Sequence, residues 1–319
     1  MGFAAAAAVS WPGVLRAQQR VKPVIGFLRS STAADSSALV AAFRQGLRAA
    51  GYVESDNVAV EYRWADNQAA QLPALAADLV RRKVDVIVAN QASTPAAKTA
   101  TATIPIVFVI GGDPVDLGFV SSLGRPTGNL TGVTFLSETL EPKRLEMLRE
   151  LKPKASKLAA LINANSPNAK TALQALTDAA RAIGVQLRIA SIRSERDLEP
   201  AFAGFARERV DGLAVSADAL LTSLRGPIVT LAARYAIPTI YSGRESVVAG
   251  GLLSYAPSQA AAYRRAASYV GRILKGARTT DLPVEQSAEL ELVANLKTAK
   301  TLGIVLPPTL RLRMNEIID

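Results

Sequence analysis

An apolar run that ends in a polar loop occurs twice in this chain, and that repetition restricts the fold more than any other feature. Residues 84–114 read VDVIVANQASTPAAKTATATIPIVFVIGGDP. Val84 to Ala89, rich in β-branched residues, has the pattern of a strand buried on both faces. The polar loop 90–94 follows, then a short helix from Pro95, a residue suited to a first helical turn. Ile104-Pro105 ends that helix, and Ile106 to Ile110 forms a second buried strand closed by Gly111-Gly112-Asp113-Pro114. Two such strands, parallel and adjacent, bring loops 90–94 and 111–114 together at their carboxyl ends. Open α/β sheets bind ligands there.

The rest of the chain repeats this scheme. In the first half, Val24 to Leu28 reads as a strand and Ser36 to Ala50 as an amphipathic helix stopped by Gly51. Val58 to Trp64 is a strand and Leu72 to Arg82 a helix. In the second half, Leu158 to Ile162 is a strand, Ala169 to Ile183 a helix stopped by Gly184, Gln186 to Ser191 a strand and Leu198 to Arg209 a helix. Val210-Asp211 then opens GLAVSAD as Val84-Asp85 opens VIVANQ, and Ile237-Pro238 precedes TIY as Ile104-Pro105 precedes IVFVI. Two copies are too few for a solenoid, so the expectation is a duplicated α/β lobe, each copy β-α-β-α-β-α-β. Pro142 to Leu151 is a helix at the handover. Near the end, Gln259 to Lys275 reads as a helix, Leu282 to Gln286 and Leu290 to Ala294 as short strands, and Leu296 to Leu302 as a terminal helix. Pro307-Pro308 marks a stop.

Composition supports two α/β domains. The 319 residues are 49% hydrophobic but only 5% aromatic, which suits α/β layers better than a β-sandwich. Cysteine and histidine are both absent, which removes disulfides, thiolate nucleophiles, imidazole bases and conventional zinc sites. No G-x-S-x-G, G-x-G-x-x-G or phosphate-loop pattern occurs. The net charge of +10 is spread over helices (Arg44, Arg48, Arg81, Arg82, Arg264, Arg265), with no clustered face for nucleic acid. No cofactor is expected.

Residues 1–23 read as a leader. Ala4 to Val9 is apolar, and Leu15-Arg16-Ala17 precedes Gln18-Gln19 as a cleavage site would. The apolar stretch is too short to span a bilayer as a helix, and no basic region precedes it. A truncated signal peptide cleaved after Ala17, with a soluble periplasmic product, is the expectation.

At this point a family resemblance becomes specific. Its marks are the Gln18-Gln19 junction, GDPVDLGFVSSLGRPTGNLTGVTFL (112–136), NANSPNA (163–169), VSADALLTSLR (215–225) and IPTIYSGRE (237–245). GGLLSYAPSQAAAYRRAASYVGRILKGARTTDLPVEQ (250–286) and ELVANLKTAKTLGIVLPP (291–308) complete them. In order and spacing they resemble the substrate-binding components of bacterial ABC transporters of the tryptophan/tyrosine type, over residues 11–319. The resemblance implies a type I periplasmic binding fold: two Rossmann-like three-layer lobes, a hinge of three crossing segments, and a ligand enclosed by hinge closure. The expected lobes are 24–133 plus 249–286 and 134–248 plus 287–319. It also implies a monomer that takes a small-molecule ligand, an organic anion or an aromatic-amino-acid-like solute, to a permease in the inner membrane. The chain departs from the family pattern at Ala256, usually Gly, and Ala261, usually Asp.

The candidate ligand-binding residues follow from the strand ends. Ser30 and Ser31 close the first strand, where hydroxyls bond a carboxylate or simply enter a helix. Asn90, Gln91, Ser93 and Thr94 converge at a helix start, which favours anions, although Ser93 or Thr94 would also serve as caps. Asp113 is a cleft carboxylate or a turn residue. Asn163 and Asn165, with Asn168 beyond, open the second lobe as Ser30 opens the first. Asp218 is a partner for a ligand ammonium or a helix cap. Tyr241, Arg244 and Glu245 follow the last second-lobe strand; Arg244 holds a carboxylate or pairs with Glu245. Tyr255 is a cleft wall or crossing-segment packing. Two rivals use the same cleft: a ligand-sensing effector core, which would need a helix-turn-helix before Val24, and a two-domain enzyme using Asp113 and Asp218.

Overall fold

The computed structural model describes residues 22–135, 140–166 and 169–319. The leader, apart from Lys22 and Pro23, and Asn168 lie outside the described residues. The first half alternates strands β1 (Val24–Arg29), β2 (Ala59–Trp64), β3 (Val86–Asn90), β4 (Ile106–Ile110) and β5 (Leu130–Thr134) with helices α1 (Ser37–Ala49), α2 (Leu72–Arg81) and α3 (Thr94–Ala100). The second half runs α4 (Glu141–Leu151), β6 (Lys157–Asn163), α5 (Ala169–Ala182), β7 (Gln186–Ile192), α6 (Leu198–Glu208) and β8 (Gly212–Val215). It continues through α7 (Ala219–Ser223), α8 (Arg225–Arg234), β9 (Thr239–Tyr241), α9 (Arg244–Val248) and β10 (Leu253–Pro257). The chain closes with α10 (Gln259–Leu274), β11 (Glu285–Gln286), β12 (Leu290–Asn295), α11 (Leu296–Thr301), α12 (Pro308–Arg311) and β13 (Glu316–Ile318).

Two sheets result, ordered β11-β5-β4-β3-β1-β2 and β13-β12-β10-β9-β8-β6-β7. Each carries helices on both faces, with core clusters around Phe27 and Phe108 in the first lobe and around Leu158 and Phe202 in the second. Pairing is parallel throughout except between β10 and β12. The central strands keep one order in both sheets, so the direction in which successive strands are added reverses between β1 and β3 in one and between β6 and β8 in the other. Those are the topological switch points.

The duplication extends to single hydrogen bonds. Asp85 accepts from the Val24 N–H at 2.7 Å, and Asp211 accepts from the Ser156 and Lys157 N–H groups at 2.8 and 3.1 Å. Each Asp therefore anchors the start of its lobe's first strand. The Pro105 carbonyl accepts from Ile87 N–H and the Pro238 carbonyl from Leu213 N–H, both at 2.8 Å. Gly51 and Gly184 end α1 and α5 with φ of 92° and 69°, a left-handed conformation that costs glycine nothing.

The chain crosses between sheets after β5, after β10 and between β11 and β12. Adjacent crossings are bonded to each other: Ser287 N–H to Thr134 O and Ser258 N–H to Glu289 O, both at 2.8 Å. The expected lobe boundary needs one correction here. Leu253–Pro257, placed by the sequence reading in the first lobe, pairs with β9 and β12 in the second sheet. The crossing falls at Ser258, which caps α10 by accepting from Ala261 N–H. Ala256 and Ala261 are both buried beside it.

Candidate functional site

At the first switch point Asn90 ties three segments together. Its Nδ2 donates to Ser30 Oγ (2.9 Å), while its Oδ1 accepts from Ser30 N–H (3.3 Å) and the Ser93 hydroxyl (2.6 Å). Ser93 and Thr94 are fully buried. Ser93 Oγ also lies 3.0 Å from Leu28 O, and the Thr94 hydroxyl donates to Asn90 O at 2.9 Å. These two residues therefore build the loop from within, and neither caps α3 with its side chain. Gln91 Oε1 accepts from the Gly111 and Gly112 N–H groups (3.0 and 3.2 Å), which joins loops 90–94 and 111–114 as their strands require. Ser31 Oγ is 2.9 Å from Ser36 Oγ. Asp113 spends Oδ1 on the N–H groups of Val115 and Asp116, the turn role. The Ser30 hydroxyl hydrogen, the second Asn90 N–H and the Gln91 amide nitrogen, all donors, have no protein partner among the described residues.

At the second switch point Asn163 Nδ2 donates to Asp218 Oδ1 (3.0 Å), and Asn163 Oδ1 accepts from Asn165 N–H (2.9 Å). Asp218 also caps α7, its Oδ1 accepting from Leu220 N–H at 2.7 Å. Cap and wall are thus one residue, with Oδ2 left over. Behind it lies a cavity of about 60 Å³ whose lining includes Asn163, Ser166, Ser216, Asp218 and Glu141. Sequence reasoning missed Glu141. Its Oε1 accepts from Ala217 N–H (2.9 Å) and pairs with Arg144 Nη1 (3.0 Å). Its Oε2 is buried with no hydrogen-bond partner among the described residues, as is Ser216 Oγ. Arg144 is fully buried and donates through Nε to Tyr255 O. Burial pulls its guanidinium below the ordinary range against the opposing pull of Glu141. The signal was present as an acid and a base three apart in the first turn of α4. The second wall presents mainly acceptors.

Four further expected residues lie in the second lobe. Tyr241 is 2% exposed and belongs to the core under α6 and α8. All three residues of β9 are buried, so its last side chain turns into the helix layer. A Cβ added at Gly251 would lie 2.5 Å from the Tyr241 ring, and burial pushes the phenol's pKa up. Arg244 pairs with Glu316 on β13 through two bonds of 2.6 Å, and not with Glu245. Glu245 lies in the first turn of α9. Tyr255 is half-buried against the second lobe's core.

Asp35, before α1, and Arg225, opening α8, pair across the crevice at 2.8 Å. A larger hollow of about 540 Å³, lined by residues including Pro23, Asp85, Asn129 and Arg278, lies at the opposite ends of the first sheet's strands. It shares no residue with the crevice. Among the described residues no helix is long and apolar enough to cross a membrane.

Two α/β lobes with matching strand order, three crossing segments and a polar crevice between switch points define a two-lobed solute-binding protein. The chain belongs to the family of ABC transporter substrate-binding proteins, whose model matches residues 32–318. It is 30% identical over 264 residues to the tyrosine-binding protein of Clostridioides difficile, covering 82% of this chain and 75% of that one. Its fold superposes on a conserved domain protein from Vibrio cholerae with a TM-score of 0.77, 25% identity, and coverage of 93% and 100%. A Streptococcus pneumoniae ABC domain in complex with L-Trp matches with a TM-score of 0.78, 23% identity and the same coverage.

Proposed function

We propose that this chain captures an amino-acid-like solute, or another small organic anion, between its lobes and presents the closed form to a permease. The supporting observation is the polarity of the crevice. The first wall offers donors from Ser30, Asn90 and Gln91, which suit a carboxylate. The second wall offers the free Asp218 Oδ2, with the buried acceptors of Glu141 and Ser216 in the cavity behind it, which suits an ammonium or hydroxyl. An amino acid has that same division. The tyrosine-binding and L-Trp-bound relatives favour an aromatic member of the class.

Capture without chemistry is the reading that fits Asp113, whose Oδ1 is occupied by its own turn. The leader pattern of residues 1–23 supports work in the periplasm. Binding energy would go into holding the lobes together. A thermal-shift screen of the protein beginning at Gln18 against amino acids, aromatic acids and dicarboxylates tests this. The expected result is stabilisation by at least about 1 kcal/mol from one class at a concentration well above its Kd. No stabilisation from any class contradicts solute capture.

A further inference from the structure

Among the described residues the protein buries two arginines, Arg29 and Arg144. Arg144 has its acid in Glu141. Arg29 has none. Its Nε donates to Ser31 Oγ at 3.3 Å, its Nη1 donates to the Tyr263 hydroxyl, and its guanidinium carbon stands 5.3 Å from the centre of the Tyr263 ring. Nη2 has no protein partner among the described residues. Arg29 is 8% exposed, so only a small part of the side chain reaches water. A buried cation held only by two hydroxyls and a ring face costs stability that a hydrophobic residue would not. Retaining it makes sense if its counter-charge arrives from outside.

Position agrees with that. Arg29 ends β1 at the first switch point, immediately before Ser30, which Asn90 holds. Ile25, Phe27 and Arg29 alternate onto one face of the strand, toward Tyr263 of α10, and Arg29 is in register with Trp64 of β2. Ser31 and Ser36 add hydroxyls beside it. The surroundings are a planar cation, aromatic rings and short hydroxyls at the end of the crevice near the β10–α10 crossing.

We infer that Arg29 selects for a carboxylate on the solute, supplying the charge-assisted bonds that no internal acid claims. This rests on the solute-capture reading and names the group that reading requires. An arginine fork suits a carboxylate better than a lysine would.

The test uses the protein from Gln18 onward, with calorimetric titration of L-tyrosine, L-tryptophan, 4-hydroxyphenylacetate and glutarate, each beside its amide. Wild type is expected to bind at least one acid and to reject the matching amide. Arg29→Gln is expected to weaken that acid by about ten- to a hundredfold, with Arg29→Lys between. Without solute, Arg29→Gln should melt at or above the wild-type temperature, because it removes an unmatched buried charge. A purely scaffolding Arg29 would instead lower that temperature and leave affinity alone. Amide binding equal to acid binding, or Arg29→Gln affinity within about threefold of wild type (a difference below the usual worth of such bonds), overturns the assignment. Wild type that binds no member of the set contradicts solute capture itself, a failure visible before any variant is made.

Discussion

Asp211 carries a carboxylate that burial pushes up, yet hydrogen bonds from the Ser156 and Lys157 N–H groups hold it below the ordinary range. A folded value below the unfolded one, near 3.9, means the group stabilises the fold above that pH. The contribution is lost as pH falls through the folded value. Asp211→Ala should therefore cost about 1 kcal/mol at pH 7, the side chain being partly screened by solvent. In urea unfolding, the gap between variant and wild type should narrow as pH falls below the unfolded value; a gap that does not change with pH would contradict the assignment. At this scale the sequence was only partly legible. Asp113 and Asp218 take the turn and helix-cap roles that the sequence also allowed them. Tyr241 was not legible, because a three-residue strand buried throughout has no alternation to read. Arg244 finds its acid 72 positions away on β13, which no local pattern announces. Arg29 is the third residue of the Ile25–Phe27 face and lies one position beyond the Val24 to Leu28 strand marked by the sequence.

The elements repeat because the same few residues end and anchor them. Gly51 and Gly184, Asp85 and Asp211, and Pro105 and Pro238 make equivalent bonds in the two lobes, so the duplication was readable from the order of these residue types even though the lengths between them differ. Elements that depend on distant partners were not. β13 is three residues on an edge, held by β12, and β10 lies in a stretch whose glycines and proline obscure its period. Neither announces itself locally. Helix contacts were equally hidden: α1 and α10, more than two hundred residues apart, touch through Gly46. A Cβ there would meet Arg264 O at 2.4 Å and the Ala267 Cβ at 2.7 Å. Gly46→Ala should force the two helices apart and cost about 2 kcal/mol, read as a lower denaturant midpoint with an unchanged slope. A neutral result would mean that the helices do not pack this closely.

The whole molecule depends on two lobes that meet over a solute. Asp35 and Arg225 join them, and each side chain is one-third exposed, so the pair stabilises closure by only about 0.5 kcal/mol. Asp35→Asn should therefore weaken solute binding about twofold at low salt, and the difference should vanish by about 1 M salt, where screening acts over about 3 Å. A salt-independent loss would mean that Asp35 acts through Thr32 in its own turn. Two lobes, three crossings and the polarity of the crevice all converge on one claim, that the solute lies between the lobes. A crystal structure of the protein loaded with the strongest stabiliser from the solute screen tests it most directly. The account predicts density enclosed by both walls, its anionic end toward Arg29, Ser30 and Asn90 and its donor end toward Asp218 and Glu141. Density confined to one lobe, or seated in the hollow around Asp85 and Asn129, would contradict it.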